Sequence, residues 1–223
     1  MTKLLLLISG LLLLSETAGA QDQRRAFAGA LFGVSTLSAD GRSTTMAPEA
    51  MVSLYKPENG IAFNAFAGLH LFRYFSVQGS YMWNRNDITL LSSFLTAHGG
   101  GYYEQKRRSG QHVLVADTLI YFRPPESRVR PYLGTGICMV RFASREVVHS
   151  VSSNLAAPEQ DIKGTKVALR SHVGIDFAIS PGLNFRYSFS ETISGNPISP
   201  HLMPAGERRL ANFQNLFGFV ARF

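Results

Sequence analysis

Leu183-Asn184-Phe185-Arg186-Tyr187-Ser188-Phe189-Ser190 is the stretch that decides how this chain must be read. Every second residue is large and apolar and each residue between is polar, the period of two that a strand produces because successive side chains point to opposite faces. The same alternation runs through Val167, Leu169, Val173, Ile175, Phe177 and Ile179, set against Arg170, His172, Gly174 and Asp176. Phe75, Val77, Gly79, Tyr81 and Trp83 alternate with Ser76, Gln78, Ser80, Met82 and Asn84, while Ile61, Phe63, Ala65, Ala67, Leu69 and Leu71 oppose Asn64, Gly68 and His70. Four weaker segments complete the set. Ala26 to Thr36 is small and aromatic, and His112 to Phe122 is apolar around one polar residue, Asp117. Tyr132 to Phe142 carries Gly134 and Gly136 on one face, and Leu210 to Phe223 aligns Phe213, Phe217, Phe219, Ala221 and Phe223. No helical period appears after the first twenty residues. The pattern predicts an all-β chain of about eight strands.

Composition narrows the solvent. The chain has 223 residues, 45% hydrophobic and 11% aromatic, yet only 17% are charged and the mean hydropathy is +0.03. A helical membrane protein needs apolar runs of about 18 residues or more, and a disordered chain is poor in aromatics; both are excluded for the bulk of the sequence. The single cysteine, Cys138, rules out a disulfide scaffold. Lys3, the apolar run from Leu4 to Leu14 and the small triplet Ala18-Gly19-Ala20 form the three parts of a secretory signal peptide. Cleavage is expected after Ala20, leaving residues 21–223 as one exported domain. Removing Lys3 and Glu16 keeps the formal net charge at +7.

The connections alternate in length. Phe72 to Tyr74, Arg123 to Arg130 and Ser180 to Gly182 are short, whereas the other four connections take roughly 19 to 27 residues, a length uncommon inside a compact domain. Short turns at one rim and long loops at the other are the signature of an outer-membrane barrel. Bulky aromatics on the apolar face, opposite small hydrogen-bonding residues, fit a lipid-facing band with aromatic girdles. Closure into a barrel satisfies every backbone group, as hydrocarbon requires. The expected architecture is an eight-stranded antiparallel up-and-down transmembrane β-barrel presenting four long loops to the exterior.

The chain resembles the eight-stranded outer-membrane barrels of Gram-negative bacteria, and is similar to the transmembrane domain of outer-membrane protein A and its short single-domain relatives. The resemblance covers Arg25 to Phe223. Its most specific element is the last strand, where Gly218, Phe219, Ala221 and Phe223 look like the family's assembly signal of a glycine, alternating apolar residues and a terminal aromatic; Ala221 is smaller than that pattern usually carries. The Arg130-Pro131-Tyr132-Leu133-Gly134 segment also looks like the start of a mid-barrel strand in this family. The resemblance implies residence in the outer membrane, contact with its lipids and lipopolysaccharide, and handling by the outer-membrane assembly machinery through the last strand. It implies no cofactor, and an exported protein is not expected to meet nucleic acid. The extracellular ligand stays open.

With about eight strands the lumen is just wide enough for side chains to fill it. Placing Ile179 opposite Leu183 puts Asp176 opposite Arg186 and His172 opposite Ser190, all inward, and predicts an Asp176–Arg186 ion pair. Arg170, Asp117, Gln78, Asn64 and His70 are candidates for a wider polar network, since buried charges are tolerated when paired and hydrogen-bonded. Filling and plugging the lumen is the expected role, with a narrow ion path as the alternative.

For the segment Asp87 to Gly110, read as a loop, the candidates for surface interaction are Tyr102, Tyr103, Lys106, Arg107 and Arg108 beside the glycines Gly99 to Gly101. Such a tip can meet lipopolysaccharide phosphates; alternatively Lys106 to Arg108 anchor a strand extension at the headgroup level. An enzyme is not expected. The lipid A deacylase barrels carry a His-x-Ser pair on a late strand, where Phe189 and Glu191 stand here, and His149 and Ser150 fall in a predicted loop. No two of His70, His98, His112, His149, His172 and His201 have the close spacing of a zinc pair. A non-enzymatic barrel with a structural or recognition role is therefore expected, with a channel or a lipid-modifying enzyme as alternatives.

Overall fold

The computed structural model describes residues 25–46, 49–152 and 161–223; the expected signal peptide, residues 1–20, lies outside them. In chain order the strands are β1 (Ala26–Leu37), β2 (Asp40–Met46), β3 (Glu49–Pro57), β4 (Gly60–Phe72), β5 (Phe75–Thr96), β6 (Gly99–Tyr121), β7 (Val129–Ser152), β8 (Asp161–Ser180), β9 (Leu183–Gly195) and β10 (Arg209–Arg222). Among the described residues the only helical element is a 3₁₀ turn, Ser199–His201.

Eight strands, β1 and β4 to β10, close a ring of antiparallel pairs, with β5 on β6 completing it and β1 on β10 joining the two ends of the chain. Following hydrogen-bonded partners once round the ring from Leu37 through Asn212, Thr192, Arg170, Gly136, Asp117, Gln78 and Gly68 returns to β1 at Phe27. That stagger of ten residues over eight strands tilts the strands by about 40° and leaves an interior that side chains can fill.

Parity along each strand sorts the residues. Phe32, Ile61, Leu114, Ile137, Leu169 and Phe217, from six different strands, point outward and are each more than half exposed. Leaving a side chain of this kind in water forgoes about 1.5–3 kcal/mol relative to burial, so a continuous belt of them requires hydrocarbon. Phe72, Tyr74, Phe122 and Phe223 ring the lower rim, exposed beside the turns. Polar residues fill the inward parity together with buried apolar and aromatic ones such as Phe27, Phe66, Tyr121 and Leu216.

Three expectations change. First, the predicted long loops are largely strand. β5, β6 and β7 run for 22, 23 and 24 residues, about twice the 9–11 that cross a bilayer. β5 and β6 meet in a tight turn at Ala97–His98 whose next residue, Gly99, adopts a φ of +140° that side chains rarely tolerate. Second, β2 and β3 form an additional hairpin, and β3 pairs with the outer half of β5 from Pro57↔Ile88 to Ala50↔Leu95, above the segment that pairs with β4. Third, Ile179 does not oppose Leu183. The expected register runs from Ala168↔Ser194 to Ala178↔Asn184 and then slips at a bulge, so that Ser180 meets Leu183.

Candidate functional site

The lumen is layered. In its lowest layer Arg186 of β9 lies opposite Asp176 of β8, and both are buried. Arg186 Nε donates to Asp176 Oδ1 at 2.6 Å and Nη2 to Oδ2 at 2.8 Å, a two-point charge-assisted pair. Nη2 also donates to the Tyr121 hydroxyl at 2.8 Å, and Nη1 to Gln78 Oε1 at 3.1 Å. The guanidinium lies 4.9 Å from the Tyr132 ring centroid and 5.0 Å from that of Phe66. Each nitrogen of this buried cation therefore donates to a carboxylate, hydroxyl or amide oxygen. Arg130, on β7 beside Asp176, stacks 3.9 Å over the Tyr121 ring.

A second pair sits one level higher. Arg170 Nη1 lies 2.6 Å from Asp117 Oδ2, with His172 Nε2 3.8 Å from the same oxygen. His70 borders the lower cluster: its Nδ1 shares a hydrogen bond with Ser76 Oγ at 2.6 Å, its ring packs against Phe27 and it meets the Tyr121 ring edge-on at 5.9 Å. Asn64 is buried on β4, and among the described residues no bond joins it to either ion pair.

Glycines make room for these side chains. A Cβ on Gly134 would run into the His172 ring, one on Gly136 into Asp117, and one on Gly174 into the Tyr132 hydroxyl. The small residues of β7 and β8 thus permit large ones on the adjacent strands to lie across them.

Above the ions the interior alternates in chemistry. Met82, Val113, Val115, Cys138, Val140 and Ala168 form an apolar cluster. Next come amides: Asn212 Nδ2 donates to Gln111 Oε1 at 2.8 Å and to Asn84 Oδ1 at 3.2 Å, Asn84 Nδ2 donates to Asn86 Oδ1 at 2.8 Å, and Ser35 Oγ donates to Asn212 Oδ1 at 2.7 Å. The outermost layer is again apolar. Ile198 and Leu202, from the β9–β10 connection, insert among Leu37, Tyr55, Ile88, Leu90, Tyr103, Phe142, Ile162 and Leu210. Asn196 Oδ1 holds this connection by accepting the backbone N–H groups of Ile198 and Ser199 at 3.0 and 3.2 Å. The expected polar lumen is thus a stack of polar and apolar plugs.

The residues expected at a loop tip stand on β6 and divide by parity. Tyr102, Lys106 and Arg108 point outward; Tyr103 and Arg107 point inward and are buried. Burial pushes the Tyr103 hydroxyl above its ordinary pKa. Arg107 Nε and Nη2 donate to Ser144 Oγ and O at 3.1 and 3.0 Å, and Nη1 donates to Gln105 Oε1 at 3.0 Å. His149 and Ser150, expected in a loop, continue β7 and pair with Gln105 and Glu104, respectively. At the last strand, Phe219 and Phe223 are exposed on the outer face, while a Cβ on buried Gly218 would strike the Ala30 carbonyl across the β1–β10 seam. Ala221 pairs with Ala28.

Sequence reasoning missed Tyr121, Tyr132 and Arg130 as partners of the ions. Parity was the available signal, since Arg130 and Tyr132 share the face of Gly134 and Gly136, and Tyr121 that of Asp117. Nothing in the sequence marked Ile198 and Leu202.

Residues 4–223 match a family model described as the outer membrane protein beta-barrel domain. No curated protein matches the sequence. Among solved structures, Neisserial surface protein A is 13% identical with a TM-score of 0.49, covering 89% of this chain and 99% of its own. The outer membrane protein OprG from Pseudomonas aeruginosa is 12% identical at 0.47, covering 91% and 99%. Ail, the attachment invasion locus protein of Yersinia pestis, is 12% identical at 0.43, covering 88% and 99%.

Proposed function

The chain belongs to the outer membrane protein β-barrel domain family and resides in the outer membrane of a Gram-negative bacterium, and from that premise we propose that it is a closed, non-enzymatic barrel that acts at the cell surface as a structural or recognition protein. The observation that carries the reading is the surplus length of β5, β6 and β7. Strands that cross the bilayer in about 9–11 residues and continue for as many again hold a sheet outside the membrane. Backbone pairing keeps that sheet rigid, and its outer face offers Tyr102, Lys106 and Arg108. A rigid surface binds at lower entropic cost than a loop that must be ordered first.

Closure is the second part. The Arg186–Asp176 and Arg170–Asp117 layers, the amide layer and the Ile198–Leu202 cap fill the lumen in series. In this reading the polar layers serve packing, and Gly218 to Phe223 serve recognition by the assembly machinery.

Two measurements test it. In planar bilayers the purified barrel and its Arg186→Ala form should both give no steady current; stable single-channel openings of the unaltered protein would replace this reading with a channel. Cells displaying the barrel should lose retention on immobilised polysaccharide when Lys106 and Arg108 are changed to Ser. Equal retention would remove the recognition role of this face.

A further inference from the structure

On the outer surface the register of β5 to β8 sets out three rows of four residues. The lowest row is Trp83, His112, Arg141 and Thr165; the middle row is Arg85, Gly110, Ala143 and Lys163; the upper row is Asp87, Arg108, Arg145 and Asp161. Gly110 and Ala143 make a small-residue floor at the centre. Around it stand Arg85, Arg108, Arg141, Arg145, Lys163 and His112, and the five cations are all exposed. With strands about 4.8 Å apart and same-face neighbours about 7 Å apart along a strand, the basin is about 14 Å on each side.

The row directly below is apolar. Tyr81, Leu114, Met139 and Val167 point outward on the same four strands, 39%, 54%, 48% and 75% exposed. The basin therefore lies where the hydrocarbon-facing band ends and the surface extension begins. Five cations oppose two carboxylates within the rows, and both acids stand at the upper corners. Asp161 already holds Lys163 at 2.9 Å and Arg145 at 3.4 Å, and the Lys163 hydrogen bond keeps its carboxyl below the usual range. Asp87 lies 4.0 Å from Arg108, and Glu58, exposed on the β3–β4 turn, borders that corner through its backbone bond to Asp87. His112 Nδ1 shares a 2.7 Å hydrogen bond with the Tyr81 hydroxyl. Among the described residues neither Arg85 nor Arg141 has a carboxylate partner.

We propose that this basin binds the phosphate groups of lipopolysaccharide in the outer leaflet. Arginine is suited to the task, because its planar fork presents paired donors to phosphate oxygens. The small floor lets the headgroup approach the strand backbones, and the apolar row beneath receives the acyl chains of the same molecule. A soluble polyanion would use the cations and leave that row unused. Contact between charges near the hydrocarbon edge is screened less than in bulk water. The proposal rests on the outer-membrane orientation of the reading above and is independent of lumen closure: a conducting barrel would overturn the latter and leave the basin as it is.

Trp83 is the only tryptophan of the chain and occupies a corner of the basin, so its emission reports occupancy. Barrel in zwitterionic detergent micelles should give a saturable change with bisphosphorylated lipid A, at least tenfold weaker with the dephosphorylated lipid and with phosphatidylglycerol. The Arg85→Gln/Arg141→Gln form should bind at least tenfold more weakly. Ala143→Glu, which keeps every cation and sets a carboxylate in the floor, should do the same. Both forms should keep the heat-dependent gel migration of a folded barrel. Unchanged affinity in a folded variant would overturn the proposal, as would equal affinity for phosphatidylglycerol or for the dephosphorylated lipid.

Discussion

Arg170 on β8 reaches across Gly136 on β7 to place its Nη1 2.6 Å from Oδ2 of Asp117 on β6. The pair spans three strands because the residue between them has no side chain. Gly136→Val should therefore break an ion pair it does not belong to, at a cost of about 3 kcal/mol or more. Gly110→Ala, where an added Cβ meets only the Asn84 carbonyl at 3.6 Å, should stay within about 0.5 kcal/mol. Urea unfolding of both variants in lipid vesicles checks the contrast, and comparable losses would count against the crossing.

Asp176→Ala leaves a fully enclosed guanidinium without its carboxylate and should cost about 3–5 kcal/mol. Combining Asp176→Ala with Arg186→Met removes both charges, and most of the loss should return. A double-mutant cycle reads this directly; strictly additive losses would mean that the two residues do not act as a pair.

Closure in series predicts that no single layer carries the barrier to conduction. Arg186→Ala stays shut beneath the layers above it, and Ile198→Ser/Leu202→Ser stays shut above the ion pairs. The three substitutions together should still pass no steady current in planar bilayers, because the Arg170–Asp117 pair, the apolar cluster and the amide layer remain between them. Current through any of these variants would show that the layers removed in it carry the whole barrier.

The two ends of the barrel face different compartments. An epitope inserted between Ala97 and His98 should be reached by antibody on intact cells, and one inserted between Pro125 and Glu126 only after the outer membrane is permeabilised. The opposite pattern would invert the orientation on which the surface role depends.

The ring strands were legible because lipid and lumen impose contrasting chemistry on alternate residues, as in Leu183 to Ser190. Beyond the bilayer both faces change. Ile88 and Leu90 turn inward while Asp87 and Thr89 face solvent, so the period persists but its polarity reverses, and the stretch read as a loop. The same reversal concealed Arg107, which a search for surface cations groups with Lys106 and Arg108 although parity separates them. Register was legible to within one bulge, since the Asp176–Arg186 alignment needs only a turn and a parity. The Ile198–Leu202 cap was illegible because a 3₁₀ turn in a Pro-containing connection has no repeating pattern to follow.

The β1–β10 seam joins residues that lie far apart in the chain: Phe27 bonds beside Arg222, while every other neighbouring pair in the ring is linked by a nearer connection. Its closure entropy is the largest in the molecule, and no part of it can form before the final strand exists. Synthesis order and folding order are therefore uncoupled at the seam. The pairings from β4–β5 to β8–β9 need nothing from the last strand, but the ring stays open until Leu210 to Phe223 is present, and zipping that strand onto β1 is expected to be the slow, late event that closes the barrel.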